Sequence, residues 1–183
     1  MSELQRHTLA VLVDNESGVL SKVSNLFSRK GFNIESLAVG TTDDPAISRI
    51  TIEVITDEAR VELLCNQLRK LFPVHSVKRL TPEYSIRREL VLIKTVAKTY
   101  DVRGEIIQIA NIFHASVIDV SVDSLTIAVI GDESKIEGIQ KLLAQHGILE
   151  LVRTGMVALE RGSFTIGEQT KEKNEFDLGK IVH

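Results

Sequence analysis

"DNESGVLSKVSNLFSRKGFN", Asp14 to Asn33, stands between the apolar run Thr8 to Val13 and a second apolar run that begins at Ile34. Within it Val19, Val23, Leu26 and Phe27 recur at spacings of three and four, which predicts an amphipathic helix, and Gly31 is placed to stop it. The short runs on either side read as strands. Working outward, strand-like runs Ile34 to Val39 and Ile47 to Ile55 flank the polar turn "GTTDDPA", Gly40 to Ala46. In the second run Ile50, Ile52 and Val54 face one way and Arg49, Thr51 and Glu53 the other, so one face of the sheet is polar. A second helix carries Val61, Leu64, Leu68 and Leu71, and "PVHSVKRL" supplies a last strand. The order is βαββαβ.

The same order then repeats. A strand from Glu89 to Val96 precedes a helix with Val102, Ile106, Ile109 and Phe113; strands follow at Val117 to Val122 and Leu125 to Ile130, then a helix with Ile136, Ile139 and Leu143, and a final strand from Leu149 to Leu159. The first helices end alike, in "NLF" at Asn25 to Phe27 and "NIF" at Asn111 to Phe113. This pattern predicts an α+β chain of two tandem ferredoxin-like units, residues 1–80 and 81–162, with the boundary near "LTPEYS", where Pro82 interrupts pairing. From residue 163 to 183 the apolar rhythm is lost, which predicts a polar, flexible tail with "FDLGKIV" as a partner-docking segment.

Composition narrows the function. Net charge is -3 and basic residues occur only in short groups, which argues against nucleic acid. The apolar 43% is almost entirely aliphatic, since aromatics make up 4%, so the cores should be built of Val, Ile and Leu. A single cysteine, Cys65, falls among helical core positions, so no internal disulfide can form and a reducing, cytoplasmic setting is expected. The start "MSELQRHTL" lacks an apolar leader, and no run approaches the ~20 residues that span a bilayer. His7, His75, His114, His146 and His183 are scattered, without zinc-ligand spacing, and neither common phosphate-loop pattern occurs. Asp43 and Asp44 before Pro45 read as turn formers. No catalytic or metal constellation is legible.

The first helix nevertheless differs from the other three. Those begin with acids of their own, Asp57 with Glu58, Asp101 with Glu105, and Asp132 with Glu133, whereas Gly18, Val19 and Leu20 open the first without one. A helix N-terminus offers unpaired N–H groups and partial positive charge, and Gly18 has no side chain to obstruct a carboxylate. Asn15 and Asn33 add amides that both donate and accept, which suits a ligand bearing ammonium and carboxylate together, such as a free amino acid. The same residues also serve simple turning: Ser17 as N-cap, Asn15 as turn former, Asn33 beside a left-handed Gly31. At the matching places the second half has "YDVRGE" and "HASV", without either Asn, so turning the chain does not require them.

"NESGVLSKVSNLFSRKGFNIESL", "TDDPAISRITIEV", "RELVLIKT", "SVIDVSVDSLTIAVIGDESKI" and "GILELVRTGMVALERG" together resemble the small, regulatory subunits of acetohydroxyacid synthase (acetolactate synthase), with an N-terminal ACT domain, over approximately Leu9 to Gly162. The resemblance implies a non-catalytic chain that activates a separate thiamine-diphosphate-dependent subunit and passes on feedback inhibition by a branched-chain amino acid, usually valine. It implies no cofactor in this chain; thiamine diphosphate, Mg and FAD would belong to the catalytic partner. It carries the effector site onto Asn15, Gly18, Val19, Leu20, Asn33 and Ile34, between paired ACT domains, and so implies a homodimer. His114 departs from the family pattern, which more often has Arg there. The rivals are a free-standing amino-acid-sensing regulator of another enzyme or of transcription, and a small ferredoxin-like enzyme; the first lacks a DNA-reading element and the second a cluster of ionisable groups.

Overall fold

The computed structural model describes residues 3–167. β1 (Gln5–Asp14) leads into α1 (Val19–Arg29), β2 (Ser36–Thr41), β3 (Ile47–Thr56), α2 (Glu58–Leu68) and β4 (Val74–Leu80). These four strands form one sheet in the order β2-β3-β1-β4, with β1 antiparallel to both its neighbours. A single 3₁₀ turn over Pro82–Tyr84 then passes the chain to β5 (Ser85–Val96), α3 (Tyr100–Ile112), β6 (Ser116–Val120), β7 (Ser124–Gly131), α4 (Glu133–Ala144), β8 (Ile148–Arg153) and β9 (Val157–Glu160). The second sheet repeats the first in the order β6-β7-β5-β8. The chain is α+β, two βαββαβ units of ferredoxin-like, ACT-like topology.

Each sheet buries one face under its own two helices. Leu9, Val11, Ile50, Ile52 and Val54 meet Val23, Phe27, Val61 and Leu64 in the first core. Val91, Ile93, Leu125 and Ile127 meet Ile106, Ile136 and Ile139 in the second. Cys65 lies buried in the first core, where burial pushes its thiol pKa up.

The other faces have different fates. On the first sheet the polar row read from the sequence is not a solvated surface: Thr51 is 3% exposed and Glu53 4%. The second half covers it. Ala158 of β9 and Ile166 pack on Ala10 and Leu80, Arg49 donates to the Ala158 carbonyl at 2.7 Å, and Lys78 pairs with Glu160 at 2.5 Å. Residues at the start of the expected tail take part, since Ser76 and Lys78 donate to the carbonyls of Ile166 and Thr165. "FDLGKIV" lies outside the described residues. On the second sheet the corresponding face leaves Leu90, Ile130 and Val152 exposed.

The single final strand expected from Leu149 to Leu159 is instead two strands. β8 pairs with the second part of β5, to Arg153 opposite Val91, and β9 pairs with the first part, from Val157 opposite Arg88. Between these pairs the returning chain has one residue more than β5, and Gly155 takes up the excess with φ of 82°. The cause is tertiary. A Cβ on Gly155 would lie 2.8 Å from the Leu37 carbonyl oxygen and 3.0 Å from Ser36 Oγ, so the bulge is seated on β2 of the other unit. Similarly β2 begins at Ser36, not at Ile34 as the apolar run suggested.

Candidate functional site

The loop between β1 and α1 is fixed from below. Asn15 N–H donates to the Ala46 carbonyl at 2.7 Å, its side-chain Nδ2 donates to the Pro45 carbonyl at 2.9 Å, and its Oδ1 accepts from Ser48 Oγ at 3.0 Å. Both ends of that amide therefore tie the loop to the β2-β3 hairpin. Asp44 Oδ1 accepts from the Ala46 N–H in the same hairpin, in keeping with its reading as a turn former.

Gly18, not Ser17, is the residue that starts α1. Its φ of 84° is left-handed, no side chain caps the helix, and the first turn contains no acid. Every other α-helix begins with a side-chain cap: Asp57 accepts from Arg60 N–H, Thr99 from Val102 N–H and Asp132 from Lys135 N–H. Val19 N–H donates to the Glu16 carbonyl at 3.3 Å, so it is the N–H groups after Val19, with the partial positive charge of the helix end, that an anion would meet. Val19 is buried in the first core and Leu20 is exposed beside the opening.

At the far end, α1 closes in a Schellman arrangement. Phe32 N–H donates to Phe27 O and Gly31 N–H to Ser28 O, with Gly31 left-handed at φ 69° and the two Phe rings packed edge to face. This ejects Asn33 and Ile34 just ahead of β2. Asn33 Nδ2 donates to Glu35 Oε1 at 2.6 Å.

The expected site residues therefore form two groups. Asn15, Gly18, Val19 and Leu20 lie at one end of α1, and Asn33 and Ile34 at the other, about 16 Å away for 11 residues of helix. The pairing agrees, because Asp14 is opposite Ile47 whereas Ser36 is opposite Glu53, at the other end of β3. One chain does not bring the two Asn residues together.

The sequence reading missed the ground next to Asn33. There a cavity of about 410 Å³ lies between the units, with Glu35, Ser36 and Glu53 on one side and Glu89, Glu133 and Arg153 among those on the other. Arg6 bridges it, 3.4 Å from Glu53 and 3.1 Å from Glu133. Glu89 is 5% exposed; its burial raises the carboxyl pKa, Arg153 at 3.5 Å opposes the rise, and Glu53 and Glu133 add to it. Thr154, Gly155 and Met156 close one wall. The glycine within the run "RTGMVALE" was the available signal, since an isolated Gly in a strand pattern marks a bulge or close backbone approach. No cluster of His, Cys, Asp and Glu able to hold a metal occurs among the described residues, and no helix there is long and apolar enough to cross a membrane.

Two consecutive ferredoxin-like units, the first with an uncapped glycine entry to α1, define a two-unit chain of the ACT class. The family described as AHAS small subunit-like ACT domain matches residues 9–76, and that described as Small subunit of acetolactate synthase matches residues 88–162. The chain belongs to the acetolactate synthase small subunit family. It is 50% identical over 158 residues, 86% of its length and 98% of the relative's, to a probable acetolactate synthase small subunit of Archaeoglobus fulgidus. It is 46% identical over 167 residues, 91% of its length and 98% of the relative's, to the acetolactate synthase small subunit of Mycobacterium leprae. The crystal structure of the small subunit from Thermotoga maritima superposes with a TM-score of 0.81 at 38% identity, covering 87% of this chain and 99% of that one.

Proposed function

We propose that this chain is the regulatory partner of a thiamine-diphosphate-dependent acetolactate synthase catalytic subunit, raising its turnover and passing on inhibition by valine, in the cytoplasm and without a cofactor of its own. Residues 1–80 sense the amino acid and residues 81–162 help hold and activate the partner. The observation that carries this reading is the first helix: its entry at Gly18 has no side-chain cap and no acid, and its exit presents Asn33, but at opposite ends. A two-fold axis beside the edge strand β2 would set two copies of β2 antiparallel, and so lay the Gly18 end of one copy against the Asn33 end of the other. Two equivalent sites result, each shared. In each, the ligand carboxylate meets the α1 N–H groups after Val19, its ammonium meets the Asn33 side-chain oxygen, and its aliphatic side chain lies by Leu20 and Ile34.

The reading is tested by mixing the purified chain with the catalytic subunit, thiamine diphosphate, Mg and FAD, and following acetolactate formation against valine, leucine and isoleucine. Turnover should be absent from the small subunit alone, rise when the two are mixed, and fall as valine is added, with one valine bound per chain in a dimer. Full-affinity binding to a monomer would overturn the shared site. An unresponsive mixture would overturn the regulatory reading.

A further inference from the structure

Three residues after Asn33, the two units touch through one short side chain and a close approach of their backbones. Ser36 Oγ accepts from Met156 N–H at 2.8 Å, and the left-handed Gly155 sits against the Leu37 carbonyl with no room for a Cβ. Asn33 itself is tied to this ground through its hydrogen bond to Glu35, whose own N–H donates to the Glu53 carbonyl. Resting on the reading that Asn33 and Ile34 hold an amino acid, we propose that Ser36 and Gly155 are the positioning residues that couple that ligand to the C-terminal unit.

Three features support this. The first is continuity: Asn33 to Leu37 is one unbroken stretch, and the Asn33 amide that would meet the ligand through its oxygen is held through Nδ2 by a 2.6 Å bond to Glu35. The second is the lack of slack. Gly155 meets the Leu37 carbonyl without an intervening side chain, and Ser36 reaches Met156 through a single rotatable bond, so close-packed contacts transmit a displacement that a long side chain would absorb. The third is what lies downstream. Gly155 joins β8 to β9, and both strands lie on β5, so a shift of the bulge moves the returning edge of the second sheet. The other joints between the units lie on other strands: Arg6 with Glu133 on β1, Arg49 with the Ala158 carbonyl on β3, and Lys78 with Glu160 on β4. Coupling requires a ligand to favour one arrangement of such a joint over another. The Ser36 joint is the one contiguous along the chain with the proposed site, three residues from Asn33.

The experiment reconstitutes full-length Ser36→Ala, Ser36→Thr, Gly155→Ala and Lys78→Ala with the catalytic subunit. Valine binding to the isolated small subunit is measured by calorimetry, and valine inhibition on the complex. For Ser36→Ala and Gly155→Ala we expect binding within about 3-fold of the unsubstituted chain but half-inhibition shifted at least 10-fold, or inhibition lost, with activation kept. Ser36→Thr, which retains the hydroxyl, and Lys78→Ala should be inhibited normally. Normal inhibition of Ser36→Ala would overturn the proposal, and so would loss of valine binding together with inhibition, because Ser36 would then belong to the pocket. Should Gly155→Ala fail to fold, the Ser36 pair decides alone. If the unsubstituted chain binds no valine, the amino-acid reading itself has failed, an outcome distinct from a chain that binds and variants that are inhibited normally.

Discussion

The first helices of the two units occupy the same place in the same topology, yet their ends are finished differently. At the entry, α1 has a left-handed Gly18 with no cap, whereas α3 has Thr99 capping Val102 and Asp101 in its first turn. Beside that second entry Arg103 folds back to donate to the carbonyls of Ala97, Ser121 and Val122, so the loops are closed by protein. At the exit both helices make the same pair of closing bonds, but Gly31 holds the left-handed position in the first and His114 in the second, at φ 48°. Asn33 follows in one and Ser116 in the other. A fold that needs only to turn is served by the second set of residues; the first set leaves donors unspent, which is the property a binding site requires.

The most forceful way to break this comparison is to put an acid where the first unit has none. Gly18→Asp should abolish valine inhibition, shifting half-inhibition by at least 100-fold, because its carboxylate takes the same N–H groups and repels the ligand's. Left-handed geometry costs a non-glycine residue roughly 1–2 kcal/mol, partly offset by about 0.3–1 kcal/mol from an acid at a helix N-terminus, so the chain should still fold. Thr99→Asp at the matching place should leave inhibition unchanged. Equal loss of inhibition in both variants, read from rate against valine, would mean that the entries are not specialised.

A smaller effect sharpens the contrast between the two buried carboxylates at the joint. Glu53 accepts from Thr8 at 3.3 Å and pairs with Arg6, while Glu89 has Arg153 at 3.5 Å and two like charges nearby. A carboxyl whose folded pKa is raised holds its proton more tightly in the native chain than in the unfolded one. Its contribution to stability is therefore complete below the ordinary carboxylate range and is lost as pH rises through the higher folded value. Glu89→Gln, which stays neutral, should flatten the decline in stability from the carboxylate range up toward neutral pH. Urea unfolding at several pH values between about 4 and 8 measures this, and parallel curves for the two proteins would contradict it.

Smallest of all is the exit of α3. His114→Gly should stabilise the chain by roughly 0.5 kcal/mol, the relief of left-handed strain being largely cancelled by the greater freedom of glycine in the unfolded chain. Thermal unfolding should show a rise of a degree or two. A fall would indicate that the imidazole makes a contact worth more than the strain.

Most of the architecture is legible in the sequence because it depends on local periodicity: stripes such as Val19, Val23, Leu26 and Phe27 announce a helix wherever they occur. What escaped depends on residues far away in the chain. "LELVRTGMVAL" reads as one strand until Leu37 is placed against Gly155. Thr51 and Glu53 read as a solvated row until the second unit is laid over the sheet, which leaves them 3% and 4% exposed. The uncapped entry at Gly18 was visible as a missing acid. The separation of Gly18 from Asn33 was legible too, since the two flank an 11-residue helix about 16 Å long.

The cover over the first sheet has a consequence in time. Ser76 waits for a carbonyl 90 residues further along. At a synthesis rate of about 5–20 residues per second, the N-terminal unit is complete in its own strands and helices roughly 5–20 seconds before the segment that roofs it leaves the ribosome. Throughout that interval Ala10, Thr51, Glu53 and Leu80 face solvent, on a four-stranded sheet whose edges are also open. The polar character of the row suits that wait: threonine and glutamate there can be hydrated before they are covered, and Arg49 and Lys78 before they bond to Ala158 and Glu160 of β9, as an aliphatic row could not.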